Sequence, residues 1–173
     1  MSVVEKAVTV LNESLGDDIQ EVVIFREQTS IVVERSAIVH ACQILRDTPE
    51  LQFNFLAALT AVDYWPGEPR FKIVYQFYSL PNKVFLGLNV LLPSEDPKID
   101  TIESVYPNAN WHEREIFDMF GVTFEGHSDL RRIIMPYDWQ GHPLRKDYPL
   151  GYEEVQFTFN FDEIDKRKPY AKE

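Results

Sequence analysis

Arg70 to Leu92 reads RFKIVYQFYSLPNKVFLGLNVLL. Phe71, Ile73, Tyr75 and Phe77 alternate with Arg70, Lys72, Val74 and Gln76, the period of two that places one set of side chains on each face of a strand. Leu80-Pro81-Asn82 then turns the chain, and Val84, Leu86, Leu88, Val90 and Leu92 repeat the alternation. The spacing predicts an antiparallel strand pair at the centre of a sheet. Working outward, Phe53 to Val62 is apolar enough for a buried strand, although its alanines leave a helix open. Glu21 to Phe25 and Ser30 to Val33 are β-branched runs around Arg26-Glu27-Gln28-Thr29, which reads as a hairpin without the Asn-Gly signal. Val4, Ala7, Val8, Leu11 and Leu15 recur at helical spacing, so a core helix runs from Ser2 to Leu15 and stops at Gly16. A second helix presents Ile38, Ala41, Cys42 and Leu45, with Ser36 as its cap. Ile99, Ile102 and Tyr106 suggest a short helix before Pro107. The expected fold is α+β: a single two-layer domain, a mostly antiparallel sheet with helices on one face, followed by an extended C-terminal strap.

Downstream, residues 111–150 read WHEREIFDMFGVTFEGHSDLRRIIMPYDWQGHPLRKDYPL. A helix opens here if Asn110 caps the first turn while Glu113 reaches back to it, and Ile116, Phe117 and Phe120 keep helical spacing up to Gly121. Arg114 and Asp118 stand four apart and can pair on one face. Beyond the helix, Gly126, Pro136, Gly141 and Pro143 forbid a long helix or a central strand, yet Ile133, Ile134, Met135, Tyr137, Trp139 and Tyr148 are too apolar for a free loop. We therefore divide the chain into a core domain, residues 1–126, and an extended partner-binding segment, residues 127–173. That strap is expected to need a partner, with Arg131, Arg132, Arg145 and Lys146 meeting acidic or carbonyl groups there. Phe157 and Phe159 would be further anchors, and the charged tail from Asp162 is expected to be extended.

Composition narrows the chemistry. The 173 residues carry a net charge of −11, against nucleic acid as a partner, since phosphate neutralisation needs a basic footprint. Only the strap runs the other way, with Arg131, Arg132, Arg145 and Lys146 against Asp138 alone between positions 131 and 146. Basic and aromatic residues in a Pro-rich strap suit a protein surface. Cys42 is the single cysteine, so this chain holds neither an internal disulfide nor a four-thiolate cluster. The start of the chain lacks the order of a signal peptide, and no apolar run is long enough to span a bilayer, so a cytosolic protein is expected. His112-Glu113 invites a metal-dependent hydrolase, but the spacing fails: position 116 is Ile where a zinc helix needs a second His, and position 109 is Ala where a di-metal helix needs Glu. His127 and His142 each sit beside a turn, the usual place of a structural histidine. No phosphate-binding or dinucleotide glycine fingerprint and no Gly-x-Ser-x-Gly elbow occurs. A dense mixed-charge helix beside aromatics suits specific docking.

At Glu113-Arg114-Glu115, Asp118-Met119-Phe120, His127, Arg131 and Ile133-Ile134 the chain resembles the C subunit of respiratory NADH–quinone oxidoreductase (complex I), and Gly141 to Leu150 resembles that family's second block. Thr60 to Tyr64 is similar too, while Ser128 departs from the family's usual proline after the histidine. The resemblance implies a cofactor-free structural subunit in the peripheral arm of a proton-translocating complex, on the cytoplasmic side of the bacterial cell membrane. It implies docking on the D subunit, which helps form the quinone site, with the B and I subunits nearby, and FMN, iron–sulfur clusters and quinone in those companions. The partner-binding residues it points to are Glu113, Arg114, Glu115, Asp118, His127, Arg131, Arg132, Trp139, His142, Arg145, Lys146 and Tyr148. The alternative it leaves open is the equivalent subunit of a membrane-bound hydrogenase or formate-linked complex.

Overall fold

The alternation in β4 (Phe71–Ser79) and β5 (Val84–Leu92) is realised over nine paired positions, from Phe71 opposite Leu92 to Ser79 opposite Val84. Phe71, Ile73, Tyr75 and Phe77 are fully buried on one face, as are Leu86, Leu88, Val90 and Leu92. In this computed structural model, which describes residues 2–149 together with 159, 162, 163 and 166, they anchor a five-stranded sheet. Leu150, Phe157 and the bulk of the charged tail lie outside the described residues.

The chain enters through α1 (Val3–Leu15), where Ser2 and Glu5 bond each other's backbone N–H in a capping box. The hairpin β1 (Ile19–Phe25) and β2 (Gln28–Val33) follows, its two-residue turn formed by Arg26 and Glu27, both at positive φ. α2 (Ile38–Asp47) then crosses the sheet to β3 (Phe55–Asp63) at the far edge. The antiparallel run β3, β4, β5 returns to the middle, so β5 lies parallel beside β2 and the strand order is β1-β2-β5-β4-β3. The sheet is mixed for that reason, and the core lies between it and the apolar stripes of the helices: Ala7 and Leu11 of α1, Ile38, Ala41, Cys42 and Leu45 of α2, and Ala109 and Ile116 of α3 (Ala109–Phe120).

Four local expectations give way to tertiary ones. Ser36 lies in a 3-10 turn, Arg35–Ala37, and makes no cap to α2. Ile99 to Tyr106 is not a helix: Lys98–Asp100 forms β6, parallel to β7 (Thr123–Glu125), so Ile99 pairs with Phe124 and both are buried. α3 begins at Ala109 after Asn108, with no side-chain cap, so Asn110 and Glu113 form no capping box. Arg114 and Asp118 do not pair; both turn to the segment after Gly126.

Candidate functional site

α3 is an amphipathic helix that buries three charged residues, Glu113, Arg114 and Asp118. Glu113, fully buried, accepts a hydrogen bond from the Thr101 hydroxyl at 2.5 Å and from the Ile102 N–H at 2.9 Å, tying the helix to the end of β6. Burial pushes its carboxyl up to about 7 even against those two donors. His127 Nε2 is 3.9 Å from the Glu113 carboxylate. Its Nδ1 accepts the Asp129 N–H at 3.0 Å, which places the ring proton on Nε2, facing the Asn110 carbonyl at 3.2 Å. His127 thus fixes the turn at 127–129 through both ring nitrogens. Asn110 spends its amide on Glu103 and Ser128.

The last turn of α3 is where the strap is fastened. Asp118 is fully buried; one carboxylate oxygen accepts the N–H groups of Ile133, Ile134 and Met135 at 3.1, 2.8 and 2.8 Å, and the other accepts from Arg132 at 2.6 Å. Burial works against the charged form, but the Met135 N–H, the Arg132 guanidinium and the other two amides outweigh it and hold this carboxyl below the usual range. Arg132 reaches on to the Trp139 and Gly141 carbonyls, at 2.9 Å each, and Arg114 donates to the Arg131 and Arg132 carbonyls. The unpaired carbonyls that any helix leaves at its C-terminus are met from the strap. His142 Nδ1 donates to the Asp118 carbonyl, the Leu144 N–H to that of Met119 and Arg145 to that of Phe120, at 2.9, 3.0 and 2.5 Å. Cationic Arg145 sits at the negative end of the helix dipole. Burial holds the His142 ring below its ordinary pKa, which keeps it a neutral donor. Gly121 is required twice: its φ is +72°, and a Cβ there would lie 2.5 Å from the His142 ring and 2.6 Å from Arg145.

A third attachment joins the strap to the sheet. Arg70, at the start of β4, bonds Asp63 at the end of β3 through two nitrogens at 3.0 and 2.9 Å and clasps both carboxylate oxygens of Asp147. Asp63 also accepts the N–H groups of Trp65 and Lys146, each at 2.9 Å. Burial alone would raise Asp63, but Arg70 and the two amides bring it down to about 2. Sequence reasoning missed Asp63, Arg70 and Asp147 as functional residues. Asp63 and Arg70 are charged residues beside a buried strand pair, the signal that could have found them, and Asp147 lies within the second block.

Positions 31–154 match the family model described as respiratory-chain NADH dehydrogenase, 30 Kd subunit. A protein named as the C subunit of NADH-quinone oxidoreductase from Roseiflexus sp. strain RS-1 is 50% identical over 163 residues, 94% of either chain. One of the same name from Geobacter sulfurreducens is 47% identical over 146 residues, 84% of this chain and 89% of that one. The chain belongs to the 30 kDa subunit family of respiratory-chain NADH dehydrogenase. Among solved structures, a trypsin-resistant fragment of Nqo5 superposes with a TM-score of 0.59 at 30% identity, covering 71% of this chain and 98% of that fragment. A chain of the membrane-bound sulfane sulfur reductase, an archaeal respiratory membrane complex, shares the fold with a TM-score of 0.71 at 22% identity, over 98% of this chain and 95% of that one. Among the described residues no helix is long and apolar enough to cross a membrane.

Of the twelve residues picked out as partner-binding, the structure turns Glu113, Arg114, Asp118, His127, Arg132, His142 and Arg145 onto the chain's own atoms. For Arg132 and Arg145 the expected acidic or carbonyl groups of a partner are replaced by Asp118 and the carbonyls of the chain itself. Glu115, Arg131 and Lys146 are exposed, and Arg131 pairs with Asp129 at 2.9 Å. Tyr148 lies over Gly141, and Trp139 is half-buried with its indole N–H lacking a partner. What faces outward beside them is apolar. Trp111 is 61% exposed beneath the Arg114 guanidinium, Ile134 58% and Tyr137 88%, and Leu144 is exposed as well. Among the described residues no group of three or more His, Cys, Asp or Glu is placed to hold a metal.

Proposed function

We propose that this chain is a cofactor-free structural subunit of the peripheral arm of a proton-translocating NADH–quinone oxidoreductase. It docks on the quinone-site D subunit with the outer surface of α3 and the strap, the B and I subunits lying nearby, on the cytoplasmic side of the membrane. The observation that carries this reading is the division of labour at α3. Its Arg114 and Asp118 side chains are consumed in fastening the strap, and the apolar side chains of Trp111, Ile134, Tyr137 and Leu144 are left exposed on the helix and the strap, the composition of an interaction surface on a protein this charged. The electron carriers, FMN, iron–sulfur clusters and quinone, reside in the companions. Cys42 is buried, and burial pushes its thiol far above the ordinary range, away from the thiolate a cluster needs. The chain helps couple electron transfer to proton pumping by holding the arm in place, and it reaches the membrane through the complex.

Isolation of the native assembly through a tagged copy, with a photo-cross-linker at Tyr137, tests this. NADH-oxidising companions and a cross-link to the D subunit are expected, and Tyr137→Asp lowers quinone reductase activity through lost assembly. A flavin or iron–sulfur spectrum intrinsic to the purified chain overturns the reading, as does full assembly of Tyr137→Asp with dead catalysis.

A further inference from the structure

β1 is the outer strand of the sheet, at the edge opposite β3, and the most exposed of the five. It pairs with β2; among the described residues its other edge pairs with no strand. The backbone N–H and C=O groups that point away from β2 are therefore open. Register with β2 puts Val22 opposite Ile31 and Ile24 opposite Thr29, on the helix side of the sheet, and Val23 opposite Ser30 and Phe25 opposite Gln28, on the other side. Ile24 is 73% and Phe25 66% exposed.

Edge strands are ordinarily guarded by a lysine, a proline, an inward charge or a bulge along the run. The only charge in Ile19-Gln20-Glu21-Val22-Val23-Ile24-Phe25 is Glu21, and the one irregularity of pairing lies at Ile19/Glu21, so Val22, Val23 and Ile24 are regular and unguarded, while the Arg26 guanidinium lies over the Phe25 ring at the strand's end. The Arg26-Glu27 turn, with both residues at positive φ, is the tight kind that suits strand twist and keeps β1 extended to its end. An open backbone row with apolar side chains on both faces is what an added strand satisfies: its own amides complete the row while alternate side chains grip either face. A docked helix would cover the side chains and leave the row unpaired. At the start of β1 the exposed Asp17 and Asp18 stand next to Glu21, so the favoured strand brings positive charge there and none further along.

We infer that β1 is a strand-addition edge, which takes an extended apolar segment of a companion in the complex as the sixth strand of the sheet, with a basic residue of that segment beside Asp17, Asp18 and Glu21. The inference rests on membership of the complex and not on the strap, since β1 and the strap's anchor at Asp63 lie at opposite edges of the sheet. Hydrogen exchange of the full chain, alone and in the assembled enzyme, tests it. Those amides of residues 21–25 that point away from β2 slow by about 100-fold or more on assembly, and a photo-cross-linker at Ile24 marks one short stretch of one companion. Ile24→Lys sharply lowers incorporation while leaving the isolated chain's thermal midpoint unchanged, and Ile24→Thr incorporates normally. Equal exchange of β1 in both forms overturns the inference, as does normal incorporation of Ile24→Lys. Concentration-dependent protection of β1 in the isolated chain also overturns it, because the occupant is then a second copy. Protected β1 in an assembly that lacks the D subunit supports the inference and defeats the docking reading; exposed β1 in the complete assembly does the reverse.

Discussion

The sheet with its helices and the strap on α3 are held by different physics. In the sheet and its helices, side chains such as Ile73, Leu88 and Leu45 are fully buried, and stability is spread over many apolar contacts, so each loss is graded. Among the described residues of the strap only Leu130 and Met135 pack against that core, half-buried, and their attachment is carried by a few polar atoms: the Asp118 carboxylate, the carbonyls at the end of α3, and the Asp63, Arg70 and Asp147 trio. A segment tied by few charge-assisted bonds has a fixed shape but little redundancy. Its apolar side chains are then free to face outward, which is how one short stretch both holds its shape and offers a contact surface.

The difference is broken most severely at Asp118. Asp118→Ala leaves three amides without their acceptor and the Arg132 guanidinium without its carboxylate partner, and a loss of about 3–5 kcal/mol in strap attachment is expected. Exchange at positions 133–135 should become fast while β4 and β5 stay protected. Ile73→Ala should cost about 2–5 kcal/mol, but globally, lowering the denaturation midpoint of the sheet and strap together. If the two variants instead lost the same elements together, the two regions would be one cooperative unit.

Glu113 sharpens the contrast through pH. Its folded pKa of about 7 exceeds the ordinary 4.5, so the fold favours the protonated form. Its contribution to stability is greatest below pH 4.5, declines as pH rises to about 7 and is flat above. At about 1.4 kcal/mol per unit, the decline is on the order of 3 kcal/mol. Glu113→Gln, which can still meet Thr101 and Ile102, should remove it, as urea titrations across that window would reveal. The smallest effect is expected for Arg131→Ala, which breaks an exposed pair with Asp129 and should change the unfolding free energy in urea titrations by less than about 1 kcal/mol.

These differences also mark what the sequence made legible. The period-two runs of β4 and β5 and the stripe of α1 were readable because both signals are local, and the family resemblance pointed to α3 and the strap as the site. The partners of the charged groups were not readable. Local rules offered Glu113 a capping box with Asn110 and Arg114 a pair with Asp118, each within a turn of helix. The folded chain gives Glu113 to Thr101 and Ile102 instead, gives Asp118 to residues 14 to 17 positions away, and joins Arg70 to Asp147 across 77. Desolvation favours partners that cover a buried charge over exposed local ones. β6 and β7, three residues each, were too short to carry a period. The Arg26-Glu27 turn takes positive φ without a glycine to announce it.

The part of the strap within residues 127–149 is fastened to α3 from within, not held in place only by a companion as its broken, Pro-rich sequence suggests. Hydrogen exchange of the isolated, full-length chain at the amides of Ile133, Ile134, Met135 and Leu144 tests this most directly. Slow exchange is expected there before any companion is added, lost selectively in Asp118→Ala while β4 and β5 are unchanged. Fast exchange at these four amides in the wild-type chain, slowing only on assembly, would contradict it.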